Sequence, residues 1–289
     1  MMMKKRRNCL SSNSTLLDKE HDMTAKVVFI TGASSGIGLA TAELLHAEGF
    51  IVYGTSRRTS DASQYKFHLI ELDVNQDDSV VQAIEKVIQH EGRIDVLINN
   101  AGFAIAPAGA EESSMQQAQA IFETNFFGVV RMTHAVIPLM RQQKSGLILN
   151  ISSILGLLPM PFGALYSASK HALEGYSESL DHELRSQGIR VSLVEPAYTN
   201  TSLGMNLLEA DAKVTVYDHI REKLHQQMLK TINKSDDPSV VANTILMVIN
   251  SRNILPRYTA GTTAKYLKNL RRFVPVKIFD KLIQRRLKV

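Results

Sequence analysis

A single doubly wound α/β domain, with a parallel sheet of about seven strands and helices on both faces, is the fold class the sequence predicts. Three observations predict it. Short apolar, β-branched runs alternate with stretches of helical spacing, the first of those runs stops at a glycine-rich turn, and composition does not break between Ala25 and Gly261.

The elements follow in order. "KVVFIT" (Lys26 to Thr31) reads as a strand, "TGASSGIG" as a turn and "IGLATAELLHAEG" as a helix stopped by Gly49. "FIVYGTS" and "FHLIELDV" supply two more strands. "DDSVVQAIEKVIQHEG" is a helix with a capping Asp at its start and Gly92 at its end. "RIDVLINNAG" is the fourth strand, followed by a helix within Gln116 to Arg141, the strand "GLILNIS", a helix holding "YSASK", and the strand "IRVSLVEP". Helices around Tyr217 to Leu229 and Ser239 to Ile249 precede a last strand near "ILPRYTAG". Strands in alternation with helices imply right-handed crossovers and a sheet buried on both sides.

Composition bounds the function. At 44% hydrophobic and 21% charged, the 289 residues can bury a substantial core. Cys9 is the only cysteine, so an intrachain disulfide and a thiolate metal cluster are excluded, and a reducing, cytoplasmic setting is expected. The first 24 residues begin with basic residues, but polar ones follow where a signal peptide needs an apolar run of about 7 to 15. They read as an extension, with Met23 a candidate start. No window approaches the roughly 20 apolar residues of a membrane span.

Charge is uneven: ten Lys or Arg against the single acid Asp280 fall between Arg257 and Val289. No nucleic-acid motif accompanies them. Residues 262–289 form a separate basic extension in which Leu267, Leu270, Phe273, Val274, Ile278, Phe279, Leu282 and Ile283 lie among cations and Pro275 divides two helical segments. Its apolar stripe can dock on the domain, on a sister subunit, or on an anionic membrane as a peripheral contact.

The turn between first strand and first helix stands where a dinucleotide-binding fold holds its phosphates. Glycines permit a sharp turn and close backbone approach, and the helix amino terminus offers free N–H groups. No Gly-Lys-Ser/Thr follows, which argues against a P-loop NTPase. In "GTSRR" (Gly54 to Arg58), Ser56 occupies the position where an acid would bond a ribose 2′-hydroxyl, and Arg57 and Arg58 follow it. Guanidinium pairs well with phosphate, so NADP(H) is the expected cofactor, with Arg57 the favoured contact.

In "YSASK", Tyr166 and Lys170 are four residues apart and share a helix face. A free phenol has a pKa near 10, and an adjacent ammonium is expected to favour its phenolate. Ser153, thirteen residues upstream (166 − 153), ends a strand at the edge where open α/β sheets bind ligands. His134, His171 and His182 lack a second ligand at zinc-like spacing, so no metal is expected.

The spacing Gly32-x-x-x-Gly36-x-Gly38, with "NNAG" at Asn99 to Gly102, "NISS" at Asn150 to Ser153 and "YSASK" in the same order, resembles the short-chain dehydrogenase/reductase family. The likeness spans about residues 25–261. It implies a Rossmann-type fold, a nicotinamide cofactor and a homodimer or homotetramer. It further implies Ser153, Tyr166, Lys170 and Asn125 as catalytic residues. Cofactor contacts carried over by the likeness are Gly32, Ser34, Ser35, Gly36, Ile37, Gly38, Asp73 on the adenine, Asn99, Ala101, Gly102, Pro196, Thr199 and Thr201, besides Tyr166, Lys170 and the arginines. Ala197 departs from the family's usual Pro-Gly.

The uncharged "ILGLLPMPFGAL" between Ser153 and Tyr166, and a lid at about 202–238 with Met205, Leu207, Leu208, Tyr217 and Met228, imply a lipophilic alcohol or ketone. A 3-oxoacyl thioester reductase is the rival enzyme reading. A non-catalytic NADP(H)-binding sensor or scaffold is the reading from another class.

Overall fold

The computed structural model describes residues 25–59, 62–200 and 207–287. Seven parallel strands form one sheet: β1 (Val27–Ile30), β2 (Ile51–Ser56), β3 (His68–Glu71), β4 (Val96–Asn99), β6 (Gly146–Ile151), β7 (Ile189–Pro196) and β9 (Arg257–Ala260). Their spatial order is β3-β2-β1-β4-β6-β7-β9. Alternating side chains divide the core into two layers. Val27, Phe29, Leu97, Ile148 and Val191 face one cluster with α2 (Asp77–Glu91), α4 (Gly128–Gln143) and α5 (Ala164–Leu184). Val28, Ile30, Ile98, Leu149 and Val194 face the other with α1 (Gly36–Ala47) and α7 (Pro238–Ile249).

The chain winds outward from β1 to β3, then returns to the other side of β1 with β4. The two strand ends at this reversal, Ile30 and Asn99, leave a crevice between the turns that follow them.

Several local expectations change. Asp77 is the first helical residue of α2, not its cap; Gln76 holds the cap position without a side-chain bond, and Asp77 and Asp78 favour the first turn through the helix dipole. Gly92 ends that helix in the left-handed region at φ 70°. The helix expected within Gln116 to Arg141 is α3 (Met115–Phe122) and α4, joined by one π turn at Glu123–Phe127. A small second sheet was not legible: β5 (Ala104–Ile105) pairs with β8 (Leu207–Leu208), two residues each, too short for a periodicity signal.

Helix α6 (Asp218–Ile232) is anchored by buried Glu112, whose carboxylate accepts from Gly109 N (2.7 Å) and Val214 N (2.8 Å) and pairs with Arg221. The basic extension forms α8 (Thr262–Phe273) and α9 (Val276–Leu287). Its apolar stripe docks on the domain: Leu267, Leu270, Val274, Phe279 and Ile283 pack with Ile154 and Leu158.

Candidate active site

A cleft of about 640 Å³ opens at the crevice, with the glycine turn at one end and Ser153, Tyr166 and Lys170 at the other. At the turn, Gly32 and Gly36 have φ of 68° and 56°, conformations that disfavour a side chain. A Cβ on Gly38 would stand 2.1 Å from Gly32 O, so only glycine lets α1 start this close to the loop. Thr31 Oγ1 accepts from Asn100 N (2.9 Å) and Ala101 N (3.0 Å), while Asn100 Nδ2 donates to Thr31 O (3.0 Å) and Gly32 O (2.9 Å). The turns after β1 and β4 are thereby tied together, with Gly32, Ser34, Ser35, Gly36, Ile37, Ala101 and Gly102 lining the cleft.

Beyond β2, Arg57 lines the cleft and is exposed, whereas Arg58 does not line it; the Arg58 N–H donates to Ser56 Oγ at 3.3 Å. Asp73 also lines the cleft. One of its oxygens accepts from Asn75 N (3.0 Å), a turn contact that leaves the other carboxylate oxygen for a ligand.

At the far end, β6 delivers Ser153 to the sheet edge, where its Oγ accepts from Leu155 N at 3.1 Å. Tyr166 and Lys170 project from consecutive turns of α5, and Lys170 Nζ donates to Ile151 O at 2.8 Å. The expected depression of the phenol pKa is absent. Burial pushes Tyr166 up to about 12, opposed by the Ser153 hydroxyl and reinforced by nearby Tyr198. Burial pushes Lys170 down to about 8, with Glu174 opposing. The reason is positional: the ammonium is held by the β6 carbonyl and stands 5.8 Å from the centre of the tyrosine ring.

A cleft that joins a phosphate-type turn to a Ser, Tyr and Lys group narrows the choice of families, and sequence comparison decides it. The family model described as short chain dehydrogenase matches residues 26–212. The chain belongs to the short-chain dehydrogenase family. A 3-ketodihydrosphingosine reductase from Bacteroides thetaiotaomicron is 48% identical over 188 residues, 64% of this chain and 68% of that protein. The oxidoreductase YusZ of Bacillus subtilis is 34% identical over 92% of this chain and 99% of its own length. Among solved structures, a short-chain dehydrogenase from Streptomyces avermitilis superposes with a TM-score of 0.77 at 30% identity, covering 92% of this chain and 99% of that one. One from Burkholderia phymatum in complex with NAD (TM-score 0.76, 25% identity) covers 86% of this chain and 93% of that one. ElxO with NADP bound (0.70, 26%) covers 84% and 100%.

Within this short-chain dehydrogenase, Pro196 and Thr199 line the cleft, and Ala197 avoids the left-handed region that glycine would allow. Thr201 lies outside the described residues, as does Met205. Asn99 does not face the cleft: its buried amide donates to Asn150 Oδ1 at 2.8 Å, because strand alternation turns it inward and presents Asn100 instead. Asn125 is buried in the π turn, also off the cleft. Its Oδ1 accepts from Phe103 N (3.0 Å), and its Nδ2 donates to Phe103 O (2.9 Å) and Ser169 Oγ (3.1 Å). In this structure it positions the strand-end segment against α5.

The segment expected to face substrate turns partly away, since Ile154 and Leu158 pack on Phe279. Apolar lining of the cleft comes instead from residues such as Phe103, Ala120, Ala197 and Leu208. Tyr217 bonds Glu111 (2.7 Å) and meets Phe162 edge-on, and Met228 is buried, so both support packing around α6 rather than line the cleft.

Proposed function

We propose that this short-chain dehydrogenase uses NADP(H) to interconvert a ketone and an alcohol on a lipophilic substrate. The observation that carries the reading is the convergence of Ser153, Tyr166 and Lys170 on the same cleft as the glycine turn and Arg57. The positive-φ glycines and the Gly38 contact suit a dinucleotide pyrophosphate, and Arg57, with Ser56 rather than an acid at the end of β2, suits a 2′-phosphate. Gly32 to Ile37, Arg57 and Asp73 would hold the nucleotide, with Thr199 near its other end. The nucleotide supplies hydride transfer at its nicotinamide ring.

The chain's own groups manage the oxygen. Ser153 Oγ accepts from Leu155 N, and its hydroxyl, which bonds the Tyr166 phenol, would turn its hydrogen to the substrate oxygen. In reduction the Tyr166 O–H bond breaks as the product O–H forms. Lys170 supplies positive charge behind the phenol, and the apolar lining excludes water.

Similarity to a protein named 3-ketodihydrosphingosine reductase supports trying a 3-ketosphingoid base among the candidate ketones. NADPH oxidation should be followed with a 3-ketosphingoid base, steroids, retinals, aliphatic aldehydes and 3-oxoacyl thioesters. Turnover of an uncharged or amphiphilic long-chain ketone supports the reading; activity confined to thioesters favours the rival reductase, and nucleotide binding without turnover favours a sensor. Homodimer or homotetramer formation, carried over from the family, is read from mass in solution.

The outer face of the extension fits an anionic lipid surface. Phe273 and Val276 are 74% and 71% exposed at the turn between α8 and α9, with Arg271, Arg272, Lys277 and Lys281 around them. No helix among the described residues is long and apolar enough to cross a membrane. Flotation with phosphatidylserine vesicles, lost in Phe273→Asp/Val276→Asp, supports peripheral contact; absent or unchanged flotation overturns it.

A further inference from the structure

We infer that Glu174 is a positioning residue that holds Lys170 in its charged form, and that Arg257 and Lys268 secure it, so that the carboxy-terminal helix α8 takes part in the proton chemistry of the cleft. The inference rests on the proposed roles of Tyr166 and Lys170.

Tyr166, Lys170, Glu174 and Glu178 recur every four residues along α5, so each stands one turn beyond the last. Glu174 is buried beside Ser152 and against Gly156, where a Cβ would lie 2.8 Å from Glu174 Cγ and 2.8 Å from Ser152 Oγ. A glycine is needed there because the glutamate fills the space. Charged groups reach it from each neighbouring element. Lys170 and Glu178 come from its own helix, Glu195 from β7 and Arg257 from β9, while Lys268 of α8 meets Glu195.

Arg257 is the hub. It lies 3.5 Å from Glu174 Oε2, pairs with Glu178 and lies 3.6 Å from Glu195 Oε1; Lys268 Nζ is 3.6 Å from Glu195 Oε2. Glu195 is wholly buried, so its charge is tolerable only with these cations in place. Three carboxyl groups thus lie around Arg257, with Lys268 on one of them, and when all three are ionised they exceed those two cations by one charge. Lys170 is the remaining cation, and the excess negative charge is placed one helical turn from it.

The protonation states agree with this arrangement. Burial pushes Glu174 up to about 7, with Ser152 opposing, Glu195 reinforcing and Arg257 opposing. Glu174 in turn is the group that opposes the burial-driven fall of Lys170 to about 8. An ordinary structural ion-pair cluster would support the fold without setting the charge of Lys170.

The distinguishing measurement is the ¹³Cε shift of Lys170 against pH in full-length protein labelled at lysine, assigned with Lys170→Met. It reads the charge without turnover. In Glu174→Gln the titration midpoint should fall by about one pH unit or more as burial goes unopposed, with Glu174→Asp restoring most of it. The alkaline limb of kcat should move by the same amount. Lys268→Met, whose side chain is partly exposed, provides a second variant if Glu174→Gln fails to fold. By leaving Glu195 under-compensated it adds to the negative charge near Lys170 and should raise the midpoint, by less than Glu174→Gln lowers it, with Lys268→Arg reversing the shift. An unchanged Lys170 midpoint in Glu174→Gln overturns the positioning role, and an unchanged midpoint in Lys268→Met overturns the part given to α8. If Tyr166→Phe retained full turnover, the proposed chemistry would fail while the lysine titration still measured the coupling.

Discussion

Lys170 Nζ donates to the Ile151 carbonyl at 2.8 Å and stands 5.8 Å from the centre of the Tyr166 ring. The same strand end therefore fixes the lysine and, two residues on, Ser153. With the ammonium held to the strand, burial dominates the phenol.

Without added nucleotide, Tyr166 should remain protonated through alkaline pH and ionise at about 12. The difference in tyrosinate absorbance between wild type and Tyr166→Phe should stay flat until near that value. A step close to the ordinary phenol pKa would contradict the burial argument. Turnover in the variant should fall by about 10² to 10⁴, the usual worth of a positioned acid or base, with nucleotide affinity nearly unchanged.

Much of this site was legible from spacing, and the misses have a common origin. The sheet strands, the glycine turn and the YSASK helix carry strong periodic or glycine signals, and the structure contains all of them. Asn99 and Asn100 are adjacent, and which one faces the cleft depends on where β4 ends, to the residue. Asn125 sits in a π turn that no local composition announces. The network of Glu174, Glu195, Arg257 and Lys268 joins four elements distant in sequence, so only the tertiary fold brings it together.

Arg57 provides a test of cofactor choice. Arg57 lines the cleft beyond β2, and Ser56 contributes no negative charge. Arg57→Ala should raise the KM for NADPH by about tenfold or more, the equivalent of one lost charge-assisted contact, and leave the KM for NADH little changed. Arg58→Ala, outside the cleft, should do much less. Equal effects on both nucleotides would remove the 2′-phosphate assignment.

Glu112 ties the segment before α6, and α6 itself, to the Gly109 turn, and the proposed lid role of this segment can be tested there. Two backbone N–H groups and Arg221 outweigh burial and hold its carboxyl below the usual carboxylate range. Glu112→Gln removes the charge, turns an acceptor into a donor opposite existing donors, and leaves Arg221, among the described residues, with the ion pair to exposed Asp218. Limited proteolysis between Leu207 and Ile232 should accelerate at least about tenfold, corresponding to roughly 1.4 kcal/mol of local opening. KM for the carbonyl substrate should rise more than kcat falls. Cleavage at the wild-type rate would show that the lid is held elsewhere.

Asp181 supplies a pH-dependent stability that is separate from the cleft. Buried on α5, it pairs with Arg185 and Arg190 and accepts from Val191 N at 2.9 Å. These partners outweigh burial and lower its pKa from 3.8 to about 2. Because the folded value lies below the unfolded one, the contribution is fully present above the unfolded pKa and is lost as pH falls through the folded value. The shift corresponds to about 2 kcal/mol. Denaturant unfolding at neutral pH should find Asp181→Asn less stable than wild type by that order, and the gap should close progressively from about pH 4 towards pH 2. A gap that persisted unchanged at the acid end would mean that the asparagine disturbs packing and that the ion pairs contribute little.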